Sequence, residues 1–177
     1  MKTAEAVQKL KAKLGNIIIG EAYSFEETTL EIGKENLKKA LLFLKQTPDP
    51  GYETLMDLTG VDYLEPIKRT KVVYWLHNPT NLERLRIVAF VERDEAMPSV
   101  VDIWQGANWF ERELFDLFGV RFEGHPDLKR ILMPDDWIGH PLRRDHALTE
   151  EPVQFKHGVQ PKTPSEIIPY VESDKKS

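Results

Sequence analysis

The chain contains no cysteine. That absence excludes a disulfide framework, a thiolate zinc site and a cysteine-ligated iron–sulfur cluster held by this chain alone. Any redox centre it serves belongs to a partner. Long apolar runs are missing as well: Ala40–Leu44 is far shorter than the ~20 residues that span a bilayer, so no transmembrane helix is expected. The N-terminal MKTAEAVQKLKAK lacks the apolar core and small-residue cleavage site of a secretory signal, which points to a cytoplasmic protein. Nor is there an excess of basic residues. A net charge of −5 argues against a nucleic-acid backbone as partner, because such binding needs clustered Lys and Arg to displace counterions. The chain has no G-x-G-x-x-G, Walker-type or G-x-S-x-G motif, so nothing supports nucleotide binding or a serine hydrolase.

What is present is the composition of an ordinary soluble domain: 177 residues, 41% hydrophobic and 30% charged. Ala6, Leu10 and Leu14 recur at i, i+4 and i+8, predicting a helix over 3–14 that stops at Gly15-Asn16. Ile17–Tyr23 and Thr28–Ile32 read as strands joined by a turn. Lys34–Gln46 has a helical face of Leu37, Leu41 and Leu44 broadened by Ala40, with Pro48 and Pro50 beyond its end. Residues 52–63 mix helical and strand signals, and Asp57 and Asp62 within them read as turn or cap residues. Lys71–His77 and Arg84–Glu92 predict a hairpin across the turn sequence Asn78-Pro79-Thr80-Asn81, with His77 a solvated or turn-bonded residue at the strand end.

The richest stretch is Asn108–Asp145. Ala107–Phe118 is expected to be a helix that buries Phe110, Leu114, Leu117 and Phe118 and ends in a left-handed cap at Gly119. Its other face should carry an ion-paired ridge, because Arg112 and Asp116 stand at i, i+4 and Glu113 and Asp116 at i, i+3. Trp109 either caps a neighbouring strand or faces a partner. Val120 and Phe122 alternate with charged residues as in a brief strand. Two Gly-His-Pro corners follow, at Gly124–Pro126 and Gly139–Pro141, each with basic residues soon after.

Metal binding is one reading of His125, His140 and His146 with Asp127, Asp135, Asp136 and Asp145, and it implies a free-standing metal-dependent enzyme using His125, His140 and nearby carboxylates. The spacings match no HExxH-type pair, however. An acid/base pair among Glu111, Glu113 and Asp116 has no recognisable pocket to serve. Six basic against eight acidic residues, laced with aromatics and turns, suit a protein interface better, with Arg143, Arg144 and Asp145 forming ion pairs across it. From Ala147 onward Pro152, Pro161, Pro164 and Pro169 interrupt any long helix, and the scattered apolar residues suggest an arm lying along another protein.

ERELFDLFGVRFEGHPDLKRIL at 111–132 and DDWIGHPLRRD at 135–145 closely resemble the signature of the 30 kDa subunit family of respiratory complex I, the NADH-quinone oxidoreductase. LMDLTGVDY at 55–63 and PSVVDIW at 98–104 resemble weaker blocks of that family. The resemblance implies an α+β fold. With the elements above, that means a mixed, largely antiparallel sheet of about four to five strands packed against helices over residues 1–122, then a turn-rich segment and extended arm over 123–177. It further implies a subunit without cofactor of a proton-translocating complex that passes electrons from NADH to quinone. FMN and iron–sulfur clusters would lie in partner subunits. The implied partner is the 49 kDa subunit, on the cytoplasmic side of the plasma membrane, with Trp137, His140, Arg143, Arg144 and Asp145 as docking residues, to which the reading of the helix adds Trp109. Related subunits in energy-converting hydrogenases and ferredoxin-dependent complexes leave the electron donor open. His146-Ala147 departs from the aromatic residue and Pro that follow the final Asp in many members.

Overall fold

The computed structural model describes residues 2–48, 51–64, 70–93 and 95–146; the expected C-terminal arm lies outside them. Thr70–His77 (β4) and Arg84–Val91 (β5) pair antiparallel, as their β-branched and aromatic composition predicts. Thr70, Val72, Tyr74 and Leu76 on β4, and Leu85, Ile87, Ala89 and Val91 on β5, are all buried, the period-two pattern of a sheet with one face packed. Asn78 makes the turn between them. Its Oδ1 accepts the amides of Thr80 and Asn81 at 2.8 and 3.2 Å, so a side chain supplies the acceptors a tight turn needs.

Ile18–Ser24 (β1) and Glu27–Ile32 (β2) form a second hairpin, its two-residue turn holding Phe25 and Glu26 at φ 51° and 63°. β2 runs parallel to β5, and Thr54–Asp62 (β3) pairs antiparallel with β4. The sheet order is β1-β2-β5-β4-β3. β3 therefore resolves the mixed signal of residues 52–63. A bulge between Leu55 and Asp57 breaks the alternation that would have announced a strand. Asp57 and Asp62 are strand residues, not turn or cap residues: Asp57 accepts its neighbour's amide at the bulge, and Asp62 is buried at the strand end.

Lys2–Leu14 (α1) and Lys34–Gln46 (α2) cover one face of the sheet. Ala6, Val7 and Leu10 from α1 and Leu37, Ala40, Leu41 and Leu44 from α2 join the buried strand residues in one core. Ala107–Phe118 (α3) packs on β3 at the other end of the sheet. Ala96–Pro98 (β6) runs parallel to Arg121–Glu123 (β7), bracketing α3 at the foot of the core. β7 is the expected brief strand, whereas β6 is too short for its period to be read. Among the described residues no helix is long and apolar enough to cross a membrane.

The α3–β3 contact rests on Gly60, where an added Cβ would lie 2.7 Å from Leu114 Cδ2. Gly60→Ala is expected to destabilise the chain by about 1–3 kcal/mol, the usual effect of overpacking. Urea unfolding followed by tryptophan fluorescence measures it, and wild-type stability in the variant would show that the contact is slack.

Candidate functional site

The segment after β7 is built onto α3 by buried charge. Asp116 has no solvent exposure. Its Oδ2 accepts three consecutive amides, those of Ile131, Leu132 and Met133, at 2.9, 2.7 and 2.9 Å. Its Oδ1 takes Arg130 Nη1 at 2.7 Å. Arg130 Nη2 then donates to the carbonyls of Trp137 and Gly139 at 3.0 and 3.1 Å. One ion pair thus ties together α3, residues 130–133 and residues 137–139. Burial alone would raise the Asp116 pKa, but the amides of Met133, Ile131 and Leu132 and the Arg130 guanidinium outweigh it and lower the value to about 2.

This arrangement corrects the expected ridge on α3. Spacing of i, i+4 would bring Arg112 to Asp116 on an isolated helix. Here the amides of residues 131–133 claim the carboxylate, and Arg112 turns instead to the carbonyls of Lys129 and Arg130 at 3.2 and 3.0 Å. Its guanidinium also sits 5.1 Å from the Trp109 ring centroid. The fully buried residues of α3 are Ala107, Glu111, Leu114 and Asp116; Phe110, Leu117 and Phe118 are only partly buried. Glu111 and Asp116 are enclosed while Glu113 is exposed, so the three carboxyls do not assemble into an acid/base pair.

The two Gly-His-Pro corners clip opposite ends of α3. His125 Nδ1 accepts the Asp127 amide at 3.0 Å, which leaves Nε2 to donate to the Asn108 carbonyl at 3.3 Å. His140 Nδ1 donates to the Asp116 carbonyl at 2.9 Å. Arg143 Nε donates to the Phe118 carbonyl at 2.6 Å, just before Gly119 takes its left-handed cap at φ 74°. These donors satisfy carbonyls that the last turn of a helix leaves without partners. Burial lowers the His140 pKa; the Asp116 carbonyl opposes that shift, and the Arg143 and Arg130 charges add to it. His125 and His140 thus each turn a ring nitrogen to the backbone of α3. Among the described residues no three His, Asp or Glu side chains are grouped to hold an ion.

The remaining candidates divide between inside and outside. The Arg144 amide donates to Asp62 Oδ2 at 2.9 Å, while the residue itself is exposed. Asp145 pairs with Arg93 within the chain. Trp137 is half-buried against His146, with ring centroids 6.5 Å apart. Trp109 is 61% exposed, so it does not cap a strand. Leu132, Ile138 and Leu142 are exposed on the same clasped segment. Sequence reading missed Asp116, Arg130 and Asp62 as organisers; the one available signal was that basic residues follow each corner.

A mixed sheet with helices on one face and a turn-rich segment clasped to the last helix defines a known fold class. It is shared with a chain of the membrane-bound sulfane sulfur reductase, an archaeal respiratory membrane complex, at a TM-score of 0.72 and 23% identity, covering 84% of this chain and 88% of that one. That likeness is one of fold. In sequence, the family described as respiratory-chain NADH dehydrogenase, 30 Kd subunit, matches residues 30–152. The NADH-quinone oxidoreductase C-subunit of Roseiflexus sp. (strain RS-1) is 40% identical over 156 residues, 88% of this chain and 90% of its own. The C-subunit of the same enzyme from Geobacter sulfurreducens is 44% identical over 147 residues, 81% and 88% of the two chains. The chain belongs to the 30 kDa subunit family of respiratory-chain NADH dehydrogenase.

Proposed function

We propose that this chain is a structural subunit, without a cofactor of its own, of a proton-translocating NADH-quinone oxidoreductase. In this reading residues 1–122 form its domain, and residues 123–177 dock it onto the 49 kDa subunit on the cytoplasmic side of the membrane. The observation that carries the reading is the Asp116–Arg130 clasp. Asp116 and Arg130 pair with each other and with backbone groups, and His125, His140 and Arg143 are directed at backbone groups, so together they shape a surface. Trp109, Leu132, Ile138, Leu142 and Arg144 are exposed on these segments, and Trp and Arg are residue types enriched at interface hot spots. The half-buried Trp137, His140 and Arg143 support docking from beneath, while the exposed Trp109, Arg144 and Asp145 meet the partner directly.

The test is the double variant Trp109→Ala/Arg144→Ala in the assembled complex. Interface hot spots cost about 2 kcal/mol or more on truncation, so recovery of intact complex and quinone reductase activity should fall together by at least roughly tenfold. The purified variant chain should melt as the wild type does, because both residues are exposed. Normal assembly would overturn the docking role. Stoichiometric, function-linked metal in the purified chain, found by elemental analysis, would instead favour a metalloenzyme built on His125 and His140.

A further inference from the structure

Glu111 stands one turn and a residue before Asp116 on α3 and is equally enclosed, with no solvent exposure. The two carboxyls are otherwise unlike. Asp116 receives a guanidinium and three amides. Glu111 Oε1 receives the Val100 amide at 2.7 Å, and the Ser99 side chain nearby also favours its charged form. Its Oε2 is buried without a hydrogen-bond partner, and so is the Tyr74 hydroxyl on β4, which feels the Glu111 charge. Among the described residues Glu111 has no ion-pair partner. Lys38 of α2 acts on it from a distance but is bonded to Asp102 at 2.9 Å. Of the other elements against α3, β3 brings Asp62, which is occupied by the Arg144 amide and the Thr70 hydroxyl. β7 brings Arg121 and Glu123, both exposed.

We propose that Glu111 is a proton-linked latch: as a neutral acid protonated on Oε2 it can stay enclosed beneath the turn at 99–103, and losing that proton leaves a buried charge that is relieved by opening the turn to water. A buried carboxylate is tolerated when several donors and a cation replace its water, as at Asp116, whereas Glu111 has fewer donors and no cation bonded to it. The proton belongs on Oε2 because Oε1 already accepts the Val100 amide. Burial is the main influence on the acid, raising its pKa to about 7, and the Val100 amide, Ser99 and Lys38 offset it only in part. Folding therefore takes up a proton between the ordinary carboxyl range and about pH 7, and stability falls as pH rises through that window. The latch does not depend on the docking role.

Two measurements on the full chain test it. The side-chain carboxyl resonances of the glutamates, followed by carbon NMR across about pH 4 to 9, should include one with a midpoint near 7, absent in Glu111→Gln. The Val100 amide and those of residues 101–103 should shift with the same midpoint. In thermal melts the wild type should lose stability relative to Glu111→Gln as pH rises from about 5 to 8, because the amide is a permanently neutral isostere. Every glutamate titrating in the ordinary range would overturn the proposal, as would parallel melting curves for the two proteins. So would a carboxyl titrating near 7 with the 100–103 amides unmoved. If the variant fails to fold, the wild-type NMR titration alone decides.

Discussion

Asp116→Ala is expected to lower the unfolding free energy of the chain by about 3–5 kcal/mol, the cost of removing one partner from a buried charge pair. The substitution leaves the mostly buried Arg130 guanidinium without its carboxylate and strips the acceptor from three amides at once. Asp116→Asn, which keeps one acceptor oxygen but no charge, should lose less. A double-mutant cycle with Arg130→Ala should show strong coupling, because each residue's value depends on the other. The clasp also carries a pH signature. The folded pKa of Asp116, about 2, lies below its ordinary 3.8, so the stabilisation is complete above the ordinary value and is lost as pH falls through about 2. Urea unfolding at about pH 7 and again in acid measures both effects. A loss below about 1 kcal/mol, with the acid dependence unchanged in the Ala variant, would mean that residues 130–133 hold to α3 by some other means.

Gly119→Ala should cost roughly 2–4 kcal/mol. An L side chain in the left-handed region is strained by about 1–2 kcal/mol, and here the added Cβ would also strike the Arg143 guanidinium and lie 2.6 Å from His140 Cδ2. The arginine tip can swing aside, but the imidazole is held by its bond to the Asp116 carbonyl. Relief would therefore pull the second Gly-His-Pro corner off the helix end. Gly124→Ala is the matched control: φ is +81°, yet nothing lies within 4 Å of the added carbon, so only the backbone strain remains. Equal losses at the two sites, measured by the same unfolding experiment, would show that the corner at residues 139–141 is not packed on the cap.

Much of the fold is legible because helix and strand periodicity are local properties. Leu37, Ala40, Leu41 and Leu44 mark α2, and the Val- and aromatic-rich runs mark β4 and β5, with no information from elsewhere in the chain. Gly119 marks the end of α3 for the same reason. Legibility fails where the pattern is broken or too short. The bulge at Leu55–Asp57 hides β3, and three residues cannot show a period at β6. The site was half-visible. The stretch 108–145 is recognisable as a unit, and its composition leans toward an interface, yet the periodicity puts Asp116 on the outer face of a helix that in fact encloses it.

By itself the sequence determined the class of protein: a cysteine-free α+β chain whose signature stretch belongs to the 30 kDa subunit family, with α3, its glycine cap and the two histidine corners in order. Only the tertiary structure decided that Asp116 and Glu111 lie inside, and that they differ. The reason is physical. Whether a carboxyl can be buried charged depends on the donors that meet it, and those donors come from other segments: residues 130–133 for Asp116, residues 99 and 100 for Glu111. A helical repeat records where a side chain points on its own helix. It carries no record of which distant backbone folds over it.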